Sequence, residues 1–213
     1  MKIKSVHIKS FFVLIISIII LGCDNNSENL FVKIDSSTSN VKFNNQIIET
    51  DTLNILNEEY VFNGGGVAAA DFDNDGKTDL FFTGNQQPNR LYLNQGEFVF
   101  KDISESAKIL AQDKWSTGVT YADINNDNLL DIYVCAAMYK ENRRNMLFIN
   151  KGVNPETGII SFEEKASEYG IDDSGNSMGA VFFDYNKDGF IDLFVLNNEQ
   201  SKKMIEIFSI LEE

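Results

Sequence analysis

A chain of 213 residues with 32 Asp and Glu against 18 Lys and Arg carries a formal net charge of −14, which argues against nucleic acid and anionic lipid as partners and for cations. Its one histidine, His7, lies in a removable leader, so the rest of the chain can form no Ser-His-Asp triad, Cys-His pair or His-ligated zinc site. Two cysteines, Cys23 and Cys135, make no disulfide framework, and stability must come from packing and ligands.

Residues 1–22 read as that leader. Lys2, Lys4 and Lys9 precede the apolar run Phe11–Leu21, which is too short to cross a bilayer but the right length for a signal-peptide core. The run ends in Ile20-Leu21-Gly22-Cys23, a small residue followed by cysteine, which resembles the bacterial lipobox and predicts lipidation of Cys23. Removing residues 1–22 leaves 15 basic and 32 acidic residues, a net charge of −17. The polar, Asn-rich stretch that completes residues 23–29 suits a flexible tether. Over residues 30–62, alternating patches at Phe31–Ile34 and Val41–Phe43 predict edge strands.

From Asn63 to Gln200 the chain repeats, with units beginning near residues 63, 115 and 176. Each unit places a short apolar run before a nine-residue acidic loop and another directly after it. The loops are D-F-D-N-D-G-K-T-D at Asp71–Asp79, D-I-N-N-D-N-L-L-D at Asp123–Asp131 and D-Y-N-K-D-G-F-I-D at Asp184–Asp192, and they hold ten of the acids. Successive loops start 52 and 61 residues apart, and short β-rich runs at that period fit the four-stranded blades of a β-propeller. The longer second unit carries two polar insertions, Tyr139–Arg144 and Val153–Thr157, which map to loops on the propeller faces. Arg143-Arg144 is the one basic spot, read first as a solvated loop and second as a contact point. Cys135, inside the run Ile132–Ala137, reads as a small buried hydrophobe. In the tail, residues 201–213, Met204, Ile205, Phe208 and Leu211 fall at helical spacing and predict a short C-terminal helix.

The loops have the donors of a hard-cation cage. Calcium takes roughly 6–8 oxygens, and in a tight loop the side chains at positions 1, 3 and 5 turn toward one centre. Those positions are Asp71, Asp73 and Asp75; Asp123, Asn125 and Asp127; and Asp184, Asn186 and Asp188. Position 7 offers a backbone carbonyl (Lys77, Leu129, Phe190) and position 9 closes the cage (Asp79, Asp131, Asp192). Position 6 requires a positive φ, which Gly76 and Gly189 supply freely and Asn128 tolerates. Up to three Ca2+ are expected, with the four-carboxylate first loop binding tightest. Asp/Asn-rich turns without an ion are the plain alternative, but three loops in one register, each followed by an apolar strand, favour the cage. An EF-hand fails because Phe82, Val134 and Val195 stand where its bidentate Glu belongs, and because the flanks are strands.

These loops resemble the FG-GAP/VCBS repeat family, whose calcium-bearing blades also occur in integrin α-subunit propellers. Asn63-Gly64-Gly65-Gly66-Val67, Phe82-Thr83-Gly84-Asn85-Gln86 and Trp115-Ser116-Thr117-Gly118-Val119 resemble, more narrowly, bacterial VCBS-repeat lipoproteins of the ASPIC/UnbV type. The resemblance implies an all-β, partial β-propeller of about two and a half blades, cut from a longer product, with unpaired edges open to self-association. It further implies a non-enzymatic, calcium-dependent binding or scaffold module, held at the cell envelope by a lipid anchor alone, with an envelope protein or a glycan as partner and no nucleic acid. A fragment of a calcium-dependent polysaccharide-active enzyme is the second expectation, and a purely structural module the third.

Overall fold

A computed structural model describes residues 30–58, 60–138 and 142–198 and the backbone of Ile205–Ser209. The leader, Cys23 and most of the tail lie outside the described residues. The chain divides into two units, Met1–Ile34 and Asp35–Glu213, and the eleven strands among the described residues belong to the second.

Valine, isoleucine and aromatic runs separated by Gly, Asn and Asp form short antiparallel strands, as their side chains favour. The first sheet is a meander of β1 (Val67–Ala70), β2 (Asp79–Phe82), β3 (Arg90–Asn94) and β4 (Phe100–Asp102). The second repeats it with β5 (Ser116–Ala122), β6 (Asp131–Ala136), β7 (Met146–Val153) and β8 (Ile160–Glu164). The third holds β9 (Ser177–Phe183), β10 (Asp192–Asn197) and β11 (Ile205–Ser209). The protein is therefore all-β, and each sheet is a propeller-type blade whose acidic loop joins its first two strands.

Blades stack through strands that are apolar on both faces. In β6, Ile132 and Val134 join the core shared with the first blade, beside Phe81, Leu91 and Ile109. The alternate residues Tyr133 and Cys135 face the other way and pack with Leu193 and Val195 of the third blade. Burial on both faces explains the unbroken apolar run Ile132–Ala137. Cys135 is a free, fully buried thiol, pushed up to about 12 chiefly by desolvation, so it behaves as a small hydrophobe.

Two sequence expectations are corrected. The tail forms strand β11, antiparallel to β10 with Phe194 opposite Ile207, instead of a helix. A short isolated helix is marginal, whereas Ile205-Glu206-Ile207 also alternates at strand period and β10 offers an edge to pair with. Among the described residues, 30–62 hold no strand. Residues 30–34 are exposed and irregular, and one helical turn, α1, spans Ser36–Ser39. Residues 41–48 are instead strapped onto the first blade by side chains. Phe43 stacks on Phe82 at 5.2 Å, and Asn45 and Asn85 exchange bonds of 2.6 and 2.9 Å. Ile48 is held at both its N–H and carbonyl by the Gln86 amide. Asn85 and Gln86, which carried part of the family resemblance, serve here as clasps.

Candidate metal centre

Strand register closes each acidic loop. Ala70 lies opposite Asp79, Ala122 opposite Asp131 and Phe183 opposite Asp192. Position 9 thus begins the second strand directly across from the residue that precedes position 1. Inside each loop the same hydrogen bonds recur. The position-1 carboxylate (Asp71, Asp123, Asp184) accepts the N–H of position 5 at 3.0, 3.1 and 3.1 Å, and that of position 6 at 2.8, 2.8 and 2.9 Å. The position-3 oxygen (Asp73, Asn125, Asn186) accepts the position-5 N–H at 3.2, 3.1 and 3.1 Å. Position 5 (Asp75, Asp127, Asp188) accepts the N–H of position 7 (Lys77, Leu129, Phe190), at 2.9 Å in all three. Gly76, Asn128 and Gly189 take φ of 85°, 66° and 93°, as the turn requires.

Position 9 is the buried end. Asp79 and Asp131 are fully buried and Asp192 nearly so. Asp79 accepts the N–H groups of Phe72 at 2.9 Å and Asn94 at 2.8 Å, and Asp131 those of Ile124 at 3.0 Å and Asn150 at 2.8 Å. Asp192 accepts the N–H of Tyr185 at 3.0 Å. Desolvation pushes Asp79 and Asp131 up to about 6, against the lowering effect of these bonds, with neighbouring loop carboxylates adding to the rise.

In the first loop, carboxylate oxygens of Asp71, Asp73 and Asp79 all lie within 4.8 Å of one another. Asp73 is raised by desolvation and then by Asp75. The fourth carboxylate, Asp75, turns to the Lys77 ammonium at 2.5 Å, and that bond holds its pKa low. In the other loops the position-5 carboxylate takes an amide N–H from position 3 instead, Asn125 to Asp127 at 3.0 Å and Asn186 to Asp188 at 2.7 Å. The first loop's extra charge is thus partly met from within, which narrows the expected affinity order. An all-oxygen donor set with a desolvated carboxylate at its base fits a hard divalent cation and not a thiophilic one.

Three sets of residues that hold the loops escaped the sequence reading. Position 2 (Phe72, Ile124) is buried in the core between blades, so its side chain anchors the loop while its N–H orients position 9. Its signal was an apolar residue after each first Asp. Position 4 (Asn74, Asn126, Lys187) also has positive φ, at 58°, 58° and 62°. Asn94 and Asn150, each two residues before a glycine, brace position 9 from β3 and β7 and accept that glycine's N–H at 2.8 and 2.9 Å.

At the opposite end of these strands lies a small pocket lined by Tyr60, Asn63, Trp115, Met138, Arg143 and Asn176 among others. The basic pair divides there. Arg144 pairs with Asp172 at 2.5 Å, while Nε of Arg143 is buried with no hydrogen-bond partner among the described residues.

The loop geometry separates two roles that substitutions distinguish. Asp79→Ala leaves two buried N–H groups without acceptors and is expected to cost about 2–4 kcal/mol even with chelator present. Asp73→Ala is expected to change stability in chelator by no more than about 0.5 kcal/mol while removing metal uptake at that loop. Urea unfolding with and without chelator checks both.

The fold and the repeated loops define a protein of propeller-type blades carrying acidic, oxygen-rich loops. Residues 54–134 match the model of the FG-GAP-like repeat. Human cartilage acidic protein 1 is 32% identical over 148 residues, which is 68% of this chain and 22% of that protein. The mouse protein matches at the same identity and coverage. A T-cell immunomodulatory protein homolog of Plasmodium yoelii yoelii is 27% identical over 200 residues, 83% of this chain and 27% of that protein. The chain spans about a fifth of the length of the cartilage acidic proteins it matches.

Proposed function

We propose that this chain is a calcium-stabilised, propeller-type binding module of the FG-GAP/VCBS kind, anchored at the bacterial envelope through a lipid on Cys23. The observation that carries the calcium reading is the recurrence of one hydrogen-bonded carboxylate loop, with bond lengths matching to about 0.2 Å, at the same place in three successive blades. Turn formation alone does not require position 9 to be a buried carboxylate, and all three are. Calcium supplies the countercharge that makes this burial favourable. With its loops fixed, the blade faces present surface to an envelope protein or a glycan.

The test is calcium uptake by the chelator-stripped chain, measured by calorimetry and by metal analysis after desalting. Three ions per chain are expected, and none bound would sink the reading. The anchor rests on the lipobox and is tested separately. Fatty-acid labelling of cells expressing the chain is expected to mark it, and Cys23→Ser to abolish the label and release the chain from the membrane fraction. Label that persists in that variant would contradict the assignment.

A further inference from the structure

We propose that the first and second calcium loops form a coupled pair, with Asn150 as the positioning residue that links them. This rests on the calcium reading above and goes beyond it. Asn150 is 1% exposed and its hydrogen bonds reach both loops. Its N–H donates to Oδ1 of Asp131, the closing carboxylate of the second loop, at 2.8 Å. Its Nδ2 donates to the Leu130 carbonyl of the same loop at 3.2 Å, and to the Phe72 carbonyl of the first loop at 2.9 Å. Phe72 stands between the ligands Asp71 and Asp73, and its own N–H orients Asp79 at 2.9 Å. One buried residue therefore holds the closing carboxylate of one cage through its backbone N–H, and its side chain ties the backbone of that cage to the backbone between two ligands of the next.

Other contacts run along the same seam. Nδ2 of Asn74 donates to the Asn128 carbonyl at 3.0 Å, joining position 4 of the first loop to position 6 of the second. The Tyr121 hydroxyl donates to the Ala69 carbonyl at 3.1 Å, and its ring meets Phe72 edge-on at 5.8 Å. Among the described residues no side-chain hydrogen bond joins the second loop to the third. Asn94, the counterpart of Asn150 in the first blade, has no earlier loop beside it among the described residues and donates to Asp79 and to the Thr78 carbonyl. Ordering either coupled loop orders the Asn150 bridge, so the second ion of the pair meets a backbone already in place and binds more tightly.

The experiment is calcium titration of the full chain in detergent, reading the amide signals of Gly76, Asn128 and Gly189, one in each loop, by NMR. Disabling the second loop with Asp123→Ala is expected to weaken binding at Gly76 about 5-fold or more, the low end of ordinary coupling. The matched Asp184→Ala in the third loop is expected to leave Gly76 within about 2-fold. Adding Asn150→Ala is expected to erase that difference, with Gly189 still titrating normally as proof of an intact fold. Should Asn150→Ala fail to fold, Asn150→Asp keeps the acceptor for Gly152 and breaks the same bridge by setting a carboxylate oxygen against the Phe72 and Leu130 carbonyls. Equal effects of Asp123→Ala and Asp184→Ala would overturn the coupling while leaving the calcium reading standing. A difference that survives loss of the Asn150 bonds would overturn the role of Asn150. A native chain that takes up no calcium would overturn both.

Discussion

Saturating calcium is expected to raise the melting temperature of the chelator-stripped chain by about 16–32 °C. An ion that binds only the folded state contributes about 2.7 kcal/mol per site when present at a hundred times its dissociation constant, or about 8 kcal/mol for three sites. For a domain of this size each kcal/mol moves the midpoint by about 2–4 °C. The structure gives a reason for near-complete linkage to folding. Position 9 of each loop is at once a candidate ligand and the first residue of a core strand, and its carboxylate is desolvated only in the folded state. Magnesium, which demands tighter octahedral geometry and gives up its water reluctantly, is expected to produce a much smaller rise at equal concentration. Calorimetric melts across a calcium series check this. A shift below about 3 °C at millimolar calcium would show that the hydrogen bonds hold the loops without an ion.

The loops were legible in the sequence because their chemistry is local. Asp71 reaches the N–H groups of Asp75 and Gly76 within one turn, and the φ demanded at position 6 selects Gly or Asn there. The blades were legible because short apolar runs recur on both sides of each loop at a period of 52 and 61 residues, and β6 is apolar throughout because both its faces are buried. What stayed hidden depends on partners distant in sequence. The tail has a spacing that satisfies both a helix and a strand, and the free edge of β10 decides between them. Val41–Phe43 alternates like a strand, but Phe43 stacks on Phe82 and the Lys42 N–H goes to the Tyr92 hydroxyl, so neighbouring side chains use the segment without a ladder. Asn150 reads as one polar residue within a strand, since its inter-blade partner Phe72 lies 78 positions away.

Gly118→Ala is expected to lower stability by roughly 3 kcal/mol, or about 6–12 °C, while Gly179→Ala changes the midpoint by no more than about 2 °C. These glycines face each other where inner strands β5 and β9 run side by side. A Cβ on Gly118 would lie 2.7 Å from both the Gly179 Cα and the Met178 carbonyl oxygen. Those are backbone atoms that no rotamer change can move, so the blades must separate. A Cβ on Gly179 meets nothing within 4 Å, and in a strand the added methyl restricts the unfolded chain without straining the folded one. Gly66 holds the same repeat position in the first blade, with a Cβ there 3.0 Å from the Thr117 carbonyl oxygen and the Val119 nitrogen. Close approach thus recurs at both blade interfaces and is tightest at Gly118. Melting of both variants in chelator isolates this packing effect from metal binding. Amide exchange in β9 and β10 is expected to quicken in Gly118→Ala alone. Equal losses in the two variants would place the blade contact elsewhere, in the Tyr133 and Leu193 core instead of the inner-strand seam.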